Sequence, residues 1–255
     1  MHLPSNENGD SRESSQRKPL VLLHTSDVHL TTIEDKGGAW SGFEHALKVA
    51  DDIQADAMLI VGDFFDTPRT DPDVVSRAFE MLGKQSRPTI ILPGNHDSDV
   101  MSRNRHNQTL PDNIYLLQEA EGQLVRIPEL GLTAWGKPVY DHSPEFHPLA
   151  GTQPRSTVAP DDWYVVMAHG FVVQSADDAF ASSTIQPEEL AGVDCDYVAL
   201  GHVHVYRDVT AGSVPAIYSG APSGPYETTV AIVKLHPDSG VTVEPFVLAP
   251  SRWGR

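Results

Sequence analysis

The feature that most constrains this sequence is a series of short apolar segments, each of which ends in a polar cluster with a turn residue. The segments Leu20–His24, Ala57–Val61 and Thr89–Leu92 are largely apolar, as expected of strands that are buried on both faces. Between them, Phe43–Ala55 and Pro72–Leu82 have apolar residues at helical spacing. This alternation predicts βαβ units with parallel strands, in which a ligand site lies beyond the carboxyl ends of the strands.

The second half of the chain is richer in strand candidates. These candidates are Leu124–Ile127, Leu132–Trp135, Tyr164–Ala168, Tyr197–Leu200, Ala216–Tyr218, Val230–Leu235 and Val241–Val247. Together with the first half they indicate one α/β domain that contains either a single mixed sheet or two stacked sheets. Residues 137–160 are rich in Pro, His and Ser, and they predict a long loop that is either a mobile lid or a variable insertion.

Residues 1–18 lack the apolar run of a secretory signal. We interpret them as a flexible N-terminal tail that precedes a single domain over residues 19–255. No segment has the apolar length needed to cross a bilayer, so we expect a cytoplasmic protein without a membrane partner.

Five polar clusters follow the predicted buried strands. In chain order they are Asp27-Val28-His29, Gly62-Asp63-Phe64-Phe65-Asp66, Gly94-Asn95-His96-Asp97, His169-Gly170 and Gly201-His202-Val203-His204. Each cluster alone is typical of a turn or of a helix start. Because five strands deliver Asp, Asn and His to one rim, their joint occurrence indicates a ligand site.

Residue usage narrows the kind of site. The chain has 12 His and a single cysteine, Cys195, so a bound metal must be held by nitrogen and oxygen ligands rather than by a cysteine cluster. Imidazole with carboxylate and amide oxygen suits Mn, Fe, Co or Zn better than Ca. Two divalent cations about 3.5–4 Å apart would also need a bridging carboxylate.

The net charge of −17 argues against a protein that grips nucleic acid by charge alone, because phosphate binding requires Lys and Arg. The sequence contains no basic stripe. A metal enzyme is compatible with this acidity, because two cations supply about four positive charges locally.

The ordered series D-x-H, G-D-x-x-D, G-N-H-D, H-G and G-H-x-H resembles the motifs of the calcineurin-like metallophosphoesterase superfamily, and it extends from Asp27 to His204. The phrases LHTSDVHL, VGDFFDTP, GNHD and DYVALGHVH are most similar to the DNA-repair exonuclease branch, the bacterial relatives of the Mre11 nuclease. This resemblance implies an α/β fold: a two-sheet αββα sandwich with a dinuclear metal site at the carboxyl ends of the strands.

Carried over residue by residue, the resemblance implies two cations that share Asp63 as a bridge. The ligands would be Asp27, His29, Asp63 and His204 for one cation, and Asp63, Asn95, His169 and His202 for the other. His96 would lie beside the cations without binding them, Asp97 would orient His96, and Asp66 would support the ligands from outside.

The implied function is hydrolysis of phosphate esters, with diesters as the first candidates. A metal-bridging hydroxide would attack phosphorus, and His96 would protonate the leaving oxygen as a general acid. Mn²⁺ is the first choice of cation, with Fe, Zn or Co as alternatives that the same ligands accept.

Two other functions stay open. The first is a DNA exonuclease or endonuclease that acts with a partner protein, which the sequence does not identify. The residues after His204 read as closing strands rather than as an added DNA-binding domain, which argues against processive degradation of DNA. The second is a non-catalytic binding module, which would not need a general acid such as His96.

Candidate substrate contacts come from two segments. Arg103 and Arg105 follow the G-N-H-D cluster and could reach a phosphate, whereas Tyr206, Tyr218 and Tyr226 could stack on a base. The alternatives are ordinary surface charges on a solvated loop and aromatic residues with a structural role. The expected substrates are therefore small phosphate esters, nucleotides or single-stranded nucleic acid.

Overall fold

The computed structural model describes residues 17–34, 38–101, 110–141, 143, 145–173 and 182–249. Their first sheet has six strands: β1 Leu20–Thr25, β2 Ala57–Val61, β3 Thr89–Leu92, β4 Ile114–Leu116, β13 Thr228–His236 and β14 Gly240–Ala249. The order across this sheet is β14-β13-β1-β2-β3-β4, and the four strands from β1 to β4 are parallel.

The second sheet also has six strands: β5 Gln123–Ile127, β6 Leu132–Gly136, β7 Trp163–His169, β10 Tyr197–Gly201, β11 Tyr206–Asp208 and β12 Ala216–Ser219. Its order is β11-β12-β10-β7-β6-β5, and β6, β7, β10 and β12 are parallel. A small separate pair consists of β8 Phe171–Val172 and β9 Thr184–Ile185.

The helices are α1 Ala39–Asp52, α2 Pro72–Gly83 and the short α3 Pro187–Ala191, with one 3₁₀ turn over Arg155–Thr157. Helix α2 begins at Pro72, as predicted, and Asp71 caps it by accepting a hydrogen bond from the backbone N–H of Asp73 at 2.9 Å.

Three apolar layers hold these elements together. In β2, Ala57, Leu59 and Val61 belong to the core between the sheets, whereas Met58 and Ile60 belong to the core under α1 and α2. Both faces of this strand are buried, which is why its sequence is continuously apolar rather than alternating. A third core covers the outer face of the second sheet beneath the 137–160 loop, β8, β9 and α3. The predicted αββα sandwich is confirmed, although loop and short elements form most of its second outer layer.

The parallel strands of both sheets end at the same rim. Nδ1 of His169, the last residue of β7, lies 3.0 Å from the carbonyl oxygen of Val61, the last residue of β2. The five polar clusters are therefore brought to one edge of the sandwich.

Element positions agree closely with the sequence patterns. The predicted strands Ala57–Val61 and Thr89–Leu92 have the observed bounds, and the first helix begins at Ala39 rather than Phe43 because Gly38 supplies the left-handed turn before it. Four strands, β4, β8, β9 and β11, are too short to carry a recognisable period.

Two predicted irregular segments contain packed residues. Arg17, in the predicted tail, pairs with Asp196 at 2.8 Å and stacks on Trp163. In the 137–160 loop, the side chains of Phe146 and Leu149 are buried, so this loop forms part of a covering layer. Within the described residues, no helix is both long and apolar enough to cross a membrane.

Candidate metal centre

Four residues at the rim have a left-handed backbone that non-glycine residues rarely adopt. Their φ angles are 55° at Asp27, 55° at His29, 50° at Asp63 and 98° at His202. Such conformations cost about 1–3 kcal/mol each and persist only where the surrounding structure enforces them. Backbone hydrogen bonds of 3.0 Å from Asp27 to Gly62 and from His29 to Asp63 do so here. The ends of β1 and β2 thus aim their side chains into one space.

Glycine before the ligands permits close approach. A Cβ at Gly62 would lie 1.9 Å from Nδ1 of His169, and a Cβ at Gly94 would lie 2.2 Å from Oδ1 of Asp63. Any larger residue at these two positions would displace a side chain of the centre.

The first group of candidate ligand atoms comes from Asp27, His29 and His204. Oδ1 of Asp27 lies 3.5 Å from Nε2 of His204 and 4.0 Å from Nε2 of His29. The other oxygen of Asp27 accepts a hydrogen bond from the backbone N–H of His202 at 3.0 Å, which holds the carboxylate in place.

The second group comes from Asp63, His169 and His202. Nε2 of His169 lies 3.3 Å from Oδ2 of Asp63 and 3.1 Å from Oδ1 of Asn95, which brings the amide oxygen into the same group. The imidazole rings of His169 and His202 meet edge to face, with centroids 5.2 Å apart. His202 and His204 therefore join different groups.

Asp63 faces both groups. Its Oδ2 lies 3.3 Å from Nε2 of His169 and 4.0 Å from Nε2 of His29, while its Oδ1 accepts a hydrogen bond from the backbone N–H of His96 at 3.0 Å. This is the position that a carboxylate shared by two cations would need.

Outer groups lie behind two of the imidazoles. Nδ1 of His169 is 3.0 Å from the carbonyl oxygen of Val61 and therefore acts as the N–H donor, which leaves Nε2 to face Asp63. Nδ1 of His29 is 2.9 Å from Oδ1 of Asp66 without making a hydrogen bond, while its Nε2 faces the carboxylates. The supporting role of Asp66 stays a prediction, and His29, Asp66 and His96 could also hold a cation together.

His96 lies at the open side of the centre, and its side chain is 43% exposed. Its Nδ1 lies 2.7 Å from the carbonyl oxygen of Asp66, and its Nε2 lies 4.0 Å from Oδ2 of Asp63. Because Nδ1 serves as the donor to the carbonyl, Nε2 is the nitrogen that faces Asp63 and the open side of the centre.

The role predicted for Asp97 requires correction. Its buried carboxylate accepts hydrogen bonds from the backbone N–H groups of Phe64, Phe65 and Gly94 at 2.6, 3.1 and 2.7 Å. The main chain of Asp66, rather than Asp97, orients the His96 ring. Asp97 instead joins the loop after β2 to the loop after β3, because only those backbone groups point into its buried position.

Burial and mutual charge set the protonation of the second group in the protein alone. Burial raises the pKa of Asp63, but its contacts with His169 outweigh this and hold the pKa well below its usual range. Burial lowers the pKa of His169, but the Asp63 carboxylate raises it to about 10. Burial and the neighbouring charge of His169 lower the pKa of His202 to about 4. A cation bound here would therefore displace a proton from His169.

The atoms at the centre suit divalent cations. Within the described part of the chain, Oδ1 of Asp27 and Nε2 of His29 are buried and have no hydrogen-bond partner. Buried polar atoms are normally paired, so these two require an additional partner at the point where the groups meet. The donor set of imidazole, carboxylate and amide oxygen fits Mn, Fe, Co or Zn.

The predicted substrate contacts lie elsewhere or outside the described residues. Arg103 and Arg105 belong to the latter. Tyr206 packs against the core between the sheets, and the hydroxyl of Tyr218 donates to the carbonyl of Gly170 at 2.8 Å. These placements favour the structural role for both tyrosines.

Two contributors to the centre were not predicted. The carbonyl oxygens of Val61 and Asp66 each orient an imidazole. No side-chain pattern could indicate them, because any residue type supplies a carbonyl.

Three comparisons with known proteins found similarities to this chain. A family model described as calcineurin-like phosphoesterase matches residues 20–206, which include all five polar clusters. SbcD, one component of the nuclease SbcCD of Bacillus subtilis (strain 168), is 24% identical over 276 residues, covering 91% of this chain and 71% of that protein. The structure of YfcE, a phosphoesterase from E. coli, covers 90% of this chain and 100% of its own, with 16% identity and a TM-score of 0.39.

Proposed function

Because the chain belongs to the calcineurin-like phosphoesterase family and is thus a hydrolase of phosphoric ester bonds, we propose that it cleaves phosphodiesters at the rim, using two divalent cations. Two compact groups of ligand atoms that flank a single carboxylate, Asp63, support this function.

The residues that would hold the cations are those of the two groups. Asp27, His29 and His204 would hold one, Asn95, His169 and His202 the other, and Asp63 both. When bound, two such cations supply an activated water and positive charge for the phosphate oxygens. Mn²⁺ is our first choice. This choice and a cytoplasmic location stay predictions.

His96 is placed to move a proton. Its Nδ1 is engaged by the Asp66 carbonyl, so a second proton on this ring sits on Nε2, at the open side of the centre. From there it can pass to the oxygen that leaves phosphorus, which makes a poor alkoxide leaving group a good one.

The ligand set favours an anionic substrate. Four imidazoles and one amide carry no charge in their ligating form, so only two carboxylates, Asp27 and Asp63, offset the charge of two cations. The remaining positive charge attracts a phosphate locally, although the chain as a whole carries −17.

A second candidate function is a DNA nuclease that works with a protein partner. The relative from Bacillus subtilis is part of a nuclease, and it matches 91% of this chain. The net charge of −17 argues against independent action on long DNA, because the phosphates of DNA are also negative.

The test is a substrate panel with the full chain supplied with Mn²⁺, and in parallel with Zn²⁺ or Co²⁺. We expect faster hydrolysis of bis-p-nitrophenyl phosphate than of the monoester p-nitrophenyl phosphate, and little cleavage of linear DNA. Faster turnover of the monoester would overturn the diester preference. DNA cleavage as fast as that of the small diester would favour the nuclease, and no turnover with any cation would favour a binding module.

A further inference from the structure

A cavity of about 160 Å³ opens at the rim of the sandwich that also carries the metal centre. It lies past the ends of β3, β4 and β6, and its walls include Pro93, Gln118, Ala120, Pro138 and Tyr140. None of these residues belongs to the candidate metal ligands.

The cavity and the metal centre share the same rim. Strands β3 and β6 are the immediate neighbours of β2 and β7, whose ends carry Asp63 and His169. Neighbouring strands lie about 4.8 Å apart, so the ends of β3 and β6 are one strand spacing from the ends of β2 and β7. Pro93 in its wall is two residues from Asn95, and Ser98 is two residues from His96.

Hydrogen bonds tie the cavity wall to the ligand loop. The hydroxyl of Ser98 donates to the carbonyl of Gly94 at 2.7 Å and to the carbonyl of Val139. The N–H of Val139 donates to the carbonyl of Pro93 at 3.3 Å. The wall is therefore held in a fixed relation to the loop that presents Asn95.

The chemistry of the walls suits a planar ring. Tyr140 is 48% exposed, and its ring is braced edge to face by Phe146 with centroids 5.3 Å apart. Two prolines add apolar surface, while Gln118 supplies an amide. A closed apolar cavity of about 150 Å³ holds one benzene ring, so an open one of similar size has room for a nucleobase but not for a whole nucleotide.

Charge argues against a second phosphate in this cavity. Asp99 lies in its wall. Burial raises the pKa of the Tyr140 hydroxyl, and the nearby carboxylates of Glu121 and Asp141 raise it further. Nζ of Lys137 lies 6.0 Å from the centroid of the Tyr140 ring and offsets part of this negative charge, but the carboxylates outnumber it and disfavour a phosphate.

We infer that this cavity receives the base of a nucleotide ester whose phosphate lies at the metal centre. The inference rests on the proposed function, because it takes the phosphate position from it. The inference identifies the substrate class as nucleotide esters with a free end. In a continuing strand, further phosphates would lie at the site that the base occupies here.

The test compares binding of adenosine 5′-monophosphate with that of ribose 5-phosphate, which lacks only the base. Calorimetric titration of the full chain supplied with Mn²⁺ should show about tenfold tighter binding of the nucleotide, as base–aromatic stacking produces. Tyr140→Ala removes the aromatic ring on which the base would stack. Ala120→Phe fills the cavity and leaves Tyr140 unchanged in sequence. Both should reduce the tenfold preference to about twofold or less, with unchanged affinity for ribose 5-phosphate.

Phe246→Ala is the matched control, because it removes an exposed aromatic ring from β14, at the far edge of the first sheet. It should leave the preference intact. Equal binding of the two ligands by the wild type, or a preference that survives both cavity variants, would overturn the inference while leaving the phosphoesterase function in place. Absence of binding by both ligands would also overturn the inference, whereas turnover of bis-p-nitrophenyl phosphate tests the proposed function separately.

Discussion

Strands β7 and β10 have ionisable side chains at both ends, and the two ends differ in how these side chains are paired. Before their amino ends stand Asp162 and Asp196. Asp162 accepts hydrogen bonds from Arg126 at 2.7 and 3.1 Å and from Thr133 at 2.7 Å. Asp196 is bonded to Arg17, Arg155 and the backbone of Tyr164.

At the carboxyl ends of the same strands stand His169 and His202, which face Asp63. No arginine or lysine pairs with Asp27 or Asp63 among the described residues, and Oδ1 of Asp27 has no hydrogen-bond partner there. The backbone is left-handed at Asp63 and His202, whereas none of the residues at the amino ends is.

The difference shows how to tell a structural carboxylate from a functional one. The carboxylates at the amino ends, Asp162 and Asp196, are paired with arginine side chains and other donors of the protein, so they are not free to bind a ligand. The carboxyl-end carboxylates are paired with imidazoles, which must lose their protons to bind metal, and their backbone strain needs a functional explanation.

The largest effect is expected at the carboxyl end with Asp63→Asn, which keeps the size of the side chain and removes its charge. Turnover of bis-p-nitrophenyl phosphate should fall by at least about 100-fold. Because Asp63 faces both groups, the bound Mn²⁺ per chain, measured by mass spectrometry, should fall by at least one ion. Retention of both ions would contradict the shared role.

His96→Asn should lower turnover by about 100- to 10,000-fold while metal content stays near that of the wild type. The loss should be larger for a diester with an alkyl leaving group than for a p-nitrophenyl ester, because p-nitrophenolate needs little protonation. His236→Asn, at an exposed histidine on β13, is the control. Loss of metal in the His96 variant would identify His96 as a ligand instead.

Asp97→Asn tests whether Asp97 supports the centre by joining the two ligand loops or by acting through His96. The new amide would place a donor against backbone N–H groups, which should lower the free energy of unfolding by about 1–3 kcal/mol. By loosening both ligand loops, it should also lower Mn²⁺ affinity by about 10- to 100-fold, measured by titration. If turnover falls with unchanged metal affinity, Asp97 acts through His96 after all.

Asp162→Asn tests the amino end of the comparison. Asp162 is buried but its partner Arg126 is about half exposed, so we expect a loss of about 2 kcal/mol in the free energy of unfolding, measured by urea titration. Metal content and turnover should match those of the wild type. A loss of bound Mn²⁺ would show that the two ends are not independent.

The smallest effect concerns His24, a buried histidine in β1 that belongs to neither group of candidate metal ligands. Burial lowers its pKa from 6.5 to about 3, so the unfolded chain binds a proton below pH 6.5 that the folded chain does not. Its contribution is present above that pH and is lost as the pH falls, by up to about 1.4 kcal/mol per unit.

The measurement is the difference in unfolding free energy between the wild type and His24→Asn, each from about pH 8 to pH 5. We compare the two proteins because Asp97 also titrates in this range, since burial and then Asp63 raise its pKa to about 7. Its effect on stability is opposite in sign to that of His24 and is common to both proteins, so the difference removes it. A difference that does not change with pH would contradict this contribution of His24.

Much of this molecule follows from local sequence. Apolar runs and turn residues are short-range signals, so they located most strands, the helix that begins at Pro72 and the five polar clusters. The ligand set followed from the order of those clusters and their resemblance to a family. By contrast, Asp97 was assigned His96 as its partner, whereas its carboxylate accepts hydrogen bonds from backbone N–H groups. Neither order nor spacing states where a side chain points.

The sequence by itself determined which residue types arrive at the rim, since parallel strands end on one side whatever packs around them. Only the tertiary structure decided how they combine. Left-handed turns at Asp27 and Asp63 and the stacking of two sheets set which carboxylate lies between which imidazoles. The cavity beside Tyr140 likewise exists only where three strand ends meet, because its walls come from segments distant in sequence.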